Sequence, residues 1–256
     1  MKMKSMARLD GYIKLHEVFL SRMNYYDVFM ETMSKISTDV KLASVKSCLA
    51  LGPSDGKYEI GFLKHCAANV SKFLAVEPDH EAAELLRTAL KSSMPGAESH
   101  VIETDIQKWK GLSDPVDLIL LFQVLYYVTA EERQELFKKI YDQWLAPGGF
   151  VVVVNASHTE SREKTHVIFE RLGDRSPPWE DIEADFHKAG FTKHYAHEMR
   201  FKQDFTNPDE ALLRFYQLEA HDRVTLDDVR KTLAEVYPEG RSDNEFSTIA
   251  IFTKSN

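Results

Sequence analysis

The chain is poor in everything that staples a small or exported domain. Its 256 residues include two cysteines, Cys48 and Cys66, too few for a disulfide framework or a zinc cluster and suited to a reducing compartment. No apolar run approaches the roughly 20 residues that span a bilayer. The charged start Met1-Lys2-Met3-Lys4-Ser5-Met6 leads into no apolar core, so no secretory leader is expected. Positive charge is also short: 32 Lys and Arg against 40 Asp and Glu leave −8, which argues against tight nucleic-acid binding, because that depends on clustered bases neutralising phosphates. Repeats, low-complexity tracts and long linkers are missing as well. What remains is 43% hydrophobic and 28% charged, and a chain of this length can bury about 70–75% of its unfolded surface. A cytoplasmic enzyme or binding protein is expected, one domain over 1–256. With no coiled-coil pattern and no sticky stripe it is expected as a monomer, with no membrane and no nucleic-acid partner.

Apolar residues from Leu9 to Ile36 recur at three- and four-residue steps, the mark of one or two amphipathic helices. Short apolar runs then alternate with helical patterns. Val45–Leu51 ends in the turn Gly52-Pro53-Ser54-Asp55-Gly56, and a short helix carries Tyr58, Ile60, Phe62 and Leu63. Lys72–Val76 stops at Glu77-Pro78-Asp79 ahead of a helix over about 80–90. His100–Glu103 stops at Thr104-Asp105. The most apolar run, Val116–Phe122, is followed by Gln123 and by a helix over about 131–144, which Pro147-Gly148-Gly149 breaks before Phe150–Val154. Helices are expected near 160–172, 179–189, 208–220 and 225–236, with strands near 191–199 and 246–253. Near-continuous Val/Ile/Leu strands alternating with helices predict an α/β fold, a doubly wound and mostly parallel seven-stranded sheet covered on both faces. Its ligand should sit beyond the carboxyl ends of the strands.

Four polar groups fall at four successive strand ends. Glycine at Gly52 lets backbone approach a ligand with no Cβ in the way. The turn is not the G-x-G-x-x-G dinucleotide fingerprint, and it lacks the Lys-Ser/Thr ending of a phosphate loop. Glu77 stands where an acid can accept both hydroxyls of a ribose. Thr104 or Asp105 can meet an adenine amino group, and Gln123 closes the arc. Each alone also fits a solvated strand end or a helix cap, as Asp79 does. Ten histidines offer no metal spacing: His194 and His197 would fall on opposite faces of a strand, and His158 reads as a loop residue after the fifth strand. No metal is expected.

At these residues the sequence resembles class I S-adenosylmethionine-dependent methyltransferases. The Gly52–Gly56 turn, the Val76-Glu77-Pro78 strand end and the Pro147-Gly148-Gly149 turn carry the likeness. Phe122-Gln123-Val124-Leu125-Tyr126-Tyr127-Val128 is more specific and resembles the histamine N-methyltransferase family. The resemblance implies S-adenosyl-L-methionine as cofactor, bound over 45–155. Residues 1–40 would form an N-terminal helical segment over the substrate, and 156–256 a helical substrate cover with the last strands. It places Gly52 by the methionine part, Glu77 on the ribose, Thr104 or Asp105 by the adenine and Phe122 near the methyl group. Gln123 would touch cofactor and substrate, with Tyr12, Tyr126 and Tyr127 as aromatic walls. The family's amine-binding glutamate falls on Asn24 or Tyr25, and its late asparagine on Asn244 or Glu245, so the pocket departs from the histamine-binding pattern while a histamine-like acceptor is expected.

In-line transfer from a sulfonium to nitrogen needs no covalent enzyme intermediate, consistent with the lack of a Ser/His/Asp or Cys/His constellation. It does need an unprotonated nitrogen, which imidazole presents at neutral pH and an alkylamine presents only with help from a base. Glu245 and Asp27 are candidate proton acceptors or ammonium anchors. The expected activity is N-methylation of a small amine or an imidazole- or pyridine-like heterocycle. A catalytically silent cofactor-binding regulator and a small-molecule O-methyltransferase stand as alternatives.

Overall fold

The computed structural model describes residues 11–156, 164–172, 177–220 and 223–254. Two helices, α1 (Tyr12–Ser21) and α2 (Tyr25–Asp39), precede an alternating series. It runs β1 (Ser47–Leu51), α3 (Lys57–Cys66), β2 (Lys72–Val76), α4 (His80–Ser93), β3 (Glu98–Ile102), β4 (Val116–Phe122), α5 (Ala130–Lys139) and β5 (Leu145–Ala156). Then follow α6 (Lys164–Arg171), α7 (Trp179–Lys188), β6 (Thr192–Asp204), α8 (Glu210–Glu219), α9 (Leu226–Val236) and β7 (Arg241–Thr253). The sheet order is β3-β2-β1-β4-β5-β7-β6. β1 to β5 run parallel, while β7 is antiparallel to both β5 and β6. All five parallel strands therefore end at one edge of the sheet.

Local chemistry explains the boundaries. Asp79 caps α4 by accepting the Ala82 N–H at 2.8 Å, as its position suggested. Thr129 with Glu132, and Thr225 with Asp228, form reciprocal capping boxes on α5 and α9. Along β1 the side chains alternate between two cores. Cys48 and Ala50 pack with α2 and α3, while Leu49 and Leu51 pack with α5 and α7. That two-sided burial is why the parallel strands read as unbroken apolar runs. A third core joins α1, α6, α8 and α9 through Leu212, Leu213, Phe215 and Tyr216.

One boundary differs from expectation. The helical segment does end at Trp144, but Pro147-Gly148-Gly149 neither breaks it nor opens the strand at 150. α5 stops at Lys139, Ile140–Trp144 widens into a π turn, and β5 already begins at Leu145. Val116 pairs with Leu145, then the register shifts so that Leu118 pairs with Phe150. The Pro-Gly-Gly segment is thus an irregularity inside the strand, with Gly148 at φ +72°. The corner between α1 and α2 is strapped to β6: Met23 bridges Gln203, the Asp204 N–H donates to the Arg22 carbonyl at 2.7 Å, and Arg22 pairs with Asp209 at 2.8 Å. This strap holds the two N-terminal helices against β6 and the start of α8.

Candidate functional site

The site begins at the strand ends. Gly52 takes φ +65°, and a Cβ there would lie 2.7 Å from Val124 Cγ2, so glycine is needed both for the turn and for space. Its N–H donates to the Val76 carbonyl at 2.8 Å, which docks the β1 loop on the β2 end. Glu77, just beyond β2, is 5% exposed. Its Oε2 accepts the Ser54 N–H at 2.8 Å and its Oε1 the Asp79 N–H at 2.9 Å. Burial nevertheless pushes this carboxyl up to about 7, against the two amides that favour its charge. Glu59, buried in the first turn of α3, is also raised, by its own burial first and then by Asp55 and Glu77. Three acids thus converge beneath one loop. Thr104 and Asp105 lie half-buried past β3, and Asp105 meets the Lys108 ammonium.

Gln123, the residue after β4, has φ +50°, unusual for a side chain with a Cβ. Its N–H still donates to the Val154 carbonyl at 2.7 Å, so the backbone is fixed by β5 while the side chain turns out of the strand alternation. The carboxamide Nε2 donates to the Tyr25 hydroxyl at 2.9 Å and lies 3.4 Å from Ser247 Oγ. Phe122 is buried edge-on between Phe29 and Phe62. Two residues along β7 from Ser247 stands Glu245, with no exposed surface. The Tyr237 hydroxyl lies 3.1 Å from Glu245 Oε1 and 2.9 Å from Gln203 Oε1.

The 3-10 turn Leu125–Tyr127 follows at once and carries Tyr126 and Tyr127, their rings 4.3 Å apart. Tyr127 Oη is 3.4 Å from Tyr12 Oη, and Tyr12 donates to Glu219 Oε1 at 2.5 Å. Burial, then the Glu219 charge, push both tyrosines well above their ordinary values. His16 stacks beside Tyr12 and Phe215, and burial pushes it down to about 4, so it is neutral at pH 7.

Several expected site residues therefore gather: Gly52 with Glu77, Gln123 with Tyr25, and Tyr12 with Tyr126 and Tyr127. Others do not. Asn24 is exposed and its Oδ1 accepts the Lys202 N–H at 2.7 Å, which spends the side chain on pinning β6. Asn244 is exposed on β7, and Asp27 is exposed on α2. Of each open pair, Tyr25 and Glu245 are the inward residues. Ser247, Glu219 and Glu59 also lie here, where a lone serine in a terminal strand and acids at helix ends carry no sequence signal. His194 and His197 lie on β6; His158 lies outside the described residues. His80, Glu84 and Glu103 approach one another, but all are exposed and Arg87 bridges both acids at 2.5 and 2.7 Å, which makes the group an ion-pair network.

Comparison with known proteins finds similarity over the same strands. Residues 49–149 match the family model of a methyltransferase domain. A Bacillus halodurans protein superposes with a TM-score of 0.63 at 13% identity, covering 89% of this chain and 99% of that one. The N-methyltransferase NodS of Bradyrhizobium japonicum, in complex with S-adenosyl-L-homocysteine, gives 0.57 at 15% identity over 97% and 100%. The cyclopropane synthase MmaA2 of Mycobacterium tuberculosis gives 0.58 at 12% over 88% and 84%. No curated protein sequence matches the chain. Sheet order and matched domain are similar to those of class I S-adenosylmethionine-dependent methyltransferases. Among the described residues no helix is long and apolar enough to cross a membrane.

Proposed function

We propose that the protein transfers a methyl group to nitrogen on a small amine or an imidazole- or pyridine-like heterocycle. The observation that carries this reading is Gln123: a carboxamide turned out of β4 by a left-handed backbone and held by Tyr25, beside the Gly52–Glu77 cradle. Fold neighbours that include a cyclopropane synthase leave the acceptor atom to the site and not to the fold.

The cradle fits S-adenosylmethionine. When bound, the cofactor supplies an activated methyl on a sulfonium, whose neutral thioether leaves. Glu77, already oriented by two backbone amides, can accept the ribose hydroxyls in its ionised form. The convergence of Asp55, Glu59 and Glu77 is relieved by a ligand with a cationic amino-acid end, and Gly52 leaves that end room. Thr104 or Asp105 faces the adenine in this reading, and Phe122 the methyl.

The chain's own contribution is positional. Gln123 offers both an acceptor and donors and so orients an acceptor nitrogen; holding it in line within about 3–3.5 Å of the methyl supplies most of the gain. Tyr126 and Tyr127 present ring faces to cationic groups, each contact worth about 0.5–2 kcal/mol. Glu245, buried beside Tyr237, is the inward acid able to hold a proton or an ammonium on the substrate side. Gln123→Ala should abolish turnover of the best acceptor in a screen of amines and heterocycles, while S-adenosylhomocysteine affinity changes little. Normal turnover by that variant would remove Gln123 from the site.

A further inference from the structure

We infer that Tyr25 and Ser247 position the Gln123 carboxamide with its oxygen toward the acceptor, so that the nitrogen methylated must itself carry a hydrogen. The inference deepens the small-molecule N-methylation reading above and rests on it. Primary and secondary amines qualify, whereas a tertiary amine or a pyridine-type nitrogen has no hydrogen to give. Both hydrogens of the Gln123 amide are taken: Nε2 donates to Tyr25 Oη at 2.9 Å and to Ser247 Oγ at 3.4 Å. The two hydroxyls come from α2 and β7, and both residues are buried. Phe201 packs edge-on to the Tyr25 ring at 4.9 Å and Tyr58 lies against it at 5.7 Å, which keeps its hydroxyl in place. The Gln123 backbone is fixed as well, by its bond to the Val154 carbonyl. Oε1 meets no donor among the described residues. It is not sealed as the orphan Asn155 Oδ1 is, so it stays open to an incoming group. A carbonyl oxygen accepts and never donates. In the transfer the nitrogen lone pair forms the new N–C bond, the C–S pair stays on sulfur, and the resulting ammonium then gives a proton to solvent. An N–H facing Oε1 becomes a charge-assisted donor as that charge develops, so its bond strengthens toward the transition state.

Alkylamines are ammonium ions at neutral pH, so the test uses neutral isosteres: indole, which offers an N–H, and benzofuran, which has an oxygen in its place. Each is titrated calorimetrically into protein saturated with S-adenosylhomocysteine. The wild type should bind indole about fivefold more tightly than benzofuran. In the double variant Tyr25→Phe with Ser247→Ala the carboxamide can turn either way, and the preference should fall to near parity. Gln123→Met, which removes the carboxamide, should do the same. Ser247→Thr keeps a hydroxyl and should keep the preference. Lost packing alone would weaken both probes together and leave their ratio unmoved, so an unmoved ratio in the double variant would overturn the inference. So would equal binding of the two probes by the wild type, or no binding of either at millimolar concentration. Tighter binding of benzofuran would mean that the amide nitrogen faces the acceptor, and would overturn it too. Unchanged affinity for both probes in Gln123→Met would instead remove Gln123 from the acceptor site, and with it the reading above. Failure of the folded wild type to bind S-adenosylhomocysteine would strike at the methyltransferase reading itself.

Discussion

The two halves of the proposed site, one for the cofactor and one for the acceptor, are assembled differently. On the cofactor side each group comes from the loop after its own strand, and the bonds are short in sequence: Ser54 to Glu77 spans 23 residues and Glu77 to Asp79 two. On the substrate side Tyr12 meets Glu219 across 207 residues, Gln123 meets Ser247 across 124, and Tyr25 meets Gln123 across 98. The first half is therefore a property of consecutive βα units. The second exists only once α1, α2, α8 and the β6–β7 pair have closed on one another. Changes in the first half should act on cofactor affinity and on the fold, and changes in the second on the acceptor alone.

The largest way to break this division is Gly52→Ala. A left-handed alanine costs about 1–2 kcal/mol, and overpacking against Val124 adds to it, so urea unfolding should show a loss of about 2–4 kcal/mol. Unchanged stability would mean the turn relaxes freely. Next comes pH. Glu77 must be ionised to accept two ribose hydroxyls, and its carboxyl stands near 7 in the free protein. Affinity for S-adenosylhomocysteine should hold above that value and fall, by up to about tenfold per pH unit, below it. Glu77→Gln should flatten that slope. Tyr25→Phe removes the hydroxyl that holds Gln123, a loss of about 1 kcal/mol, and should slow turnover about fivefold with cofactor affinity intact. Parallel loss of both would blur the division. Smallest is Asn24→Ala, which should cost about 0.5–1.5 kcal/mol of stability through the lost Lys202 bond and leave acceptor preference alone. An altered acceptor range would return Asn24 to the site.

The same contrast decides what could be read in advance. β2 and β4 are bounded in sequence by Glu77 and Gln123, and both strands appear where their apolar runs lie, because parallel strands buried on two faces leave no polar interruptions. The positions of Gly52 and Glu77 can be read in advance because one loop and one strand end suffice to place them. Pro147-Gly148-Gly149 misled because proline and glycine mark a break in regular structure without saying whether a helix ends or a strand bulges. Asn24 and Tyr25 could not be separated from sequence, since a helix boundary off by one residue exchanges an exposed cap for an inward ring. Glu219 carries no sequence signal at all: its bond to Tyr12 forms only on tertiary closure.

The most direct measurement is calorimetric titration of S-adenosylhomocysteine into the wild type, Glu77→Ala and Gln123→Ala. The account predicts tight binding by the wild type, a loss of about 100-fold in Glu77→Ala for two charge-assisted hydrogen bonds, and near-wild-type binding by Gln123→Ala. No binding by folded wild type, or equal losses in the two variants, would contradict it.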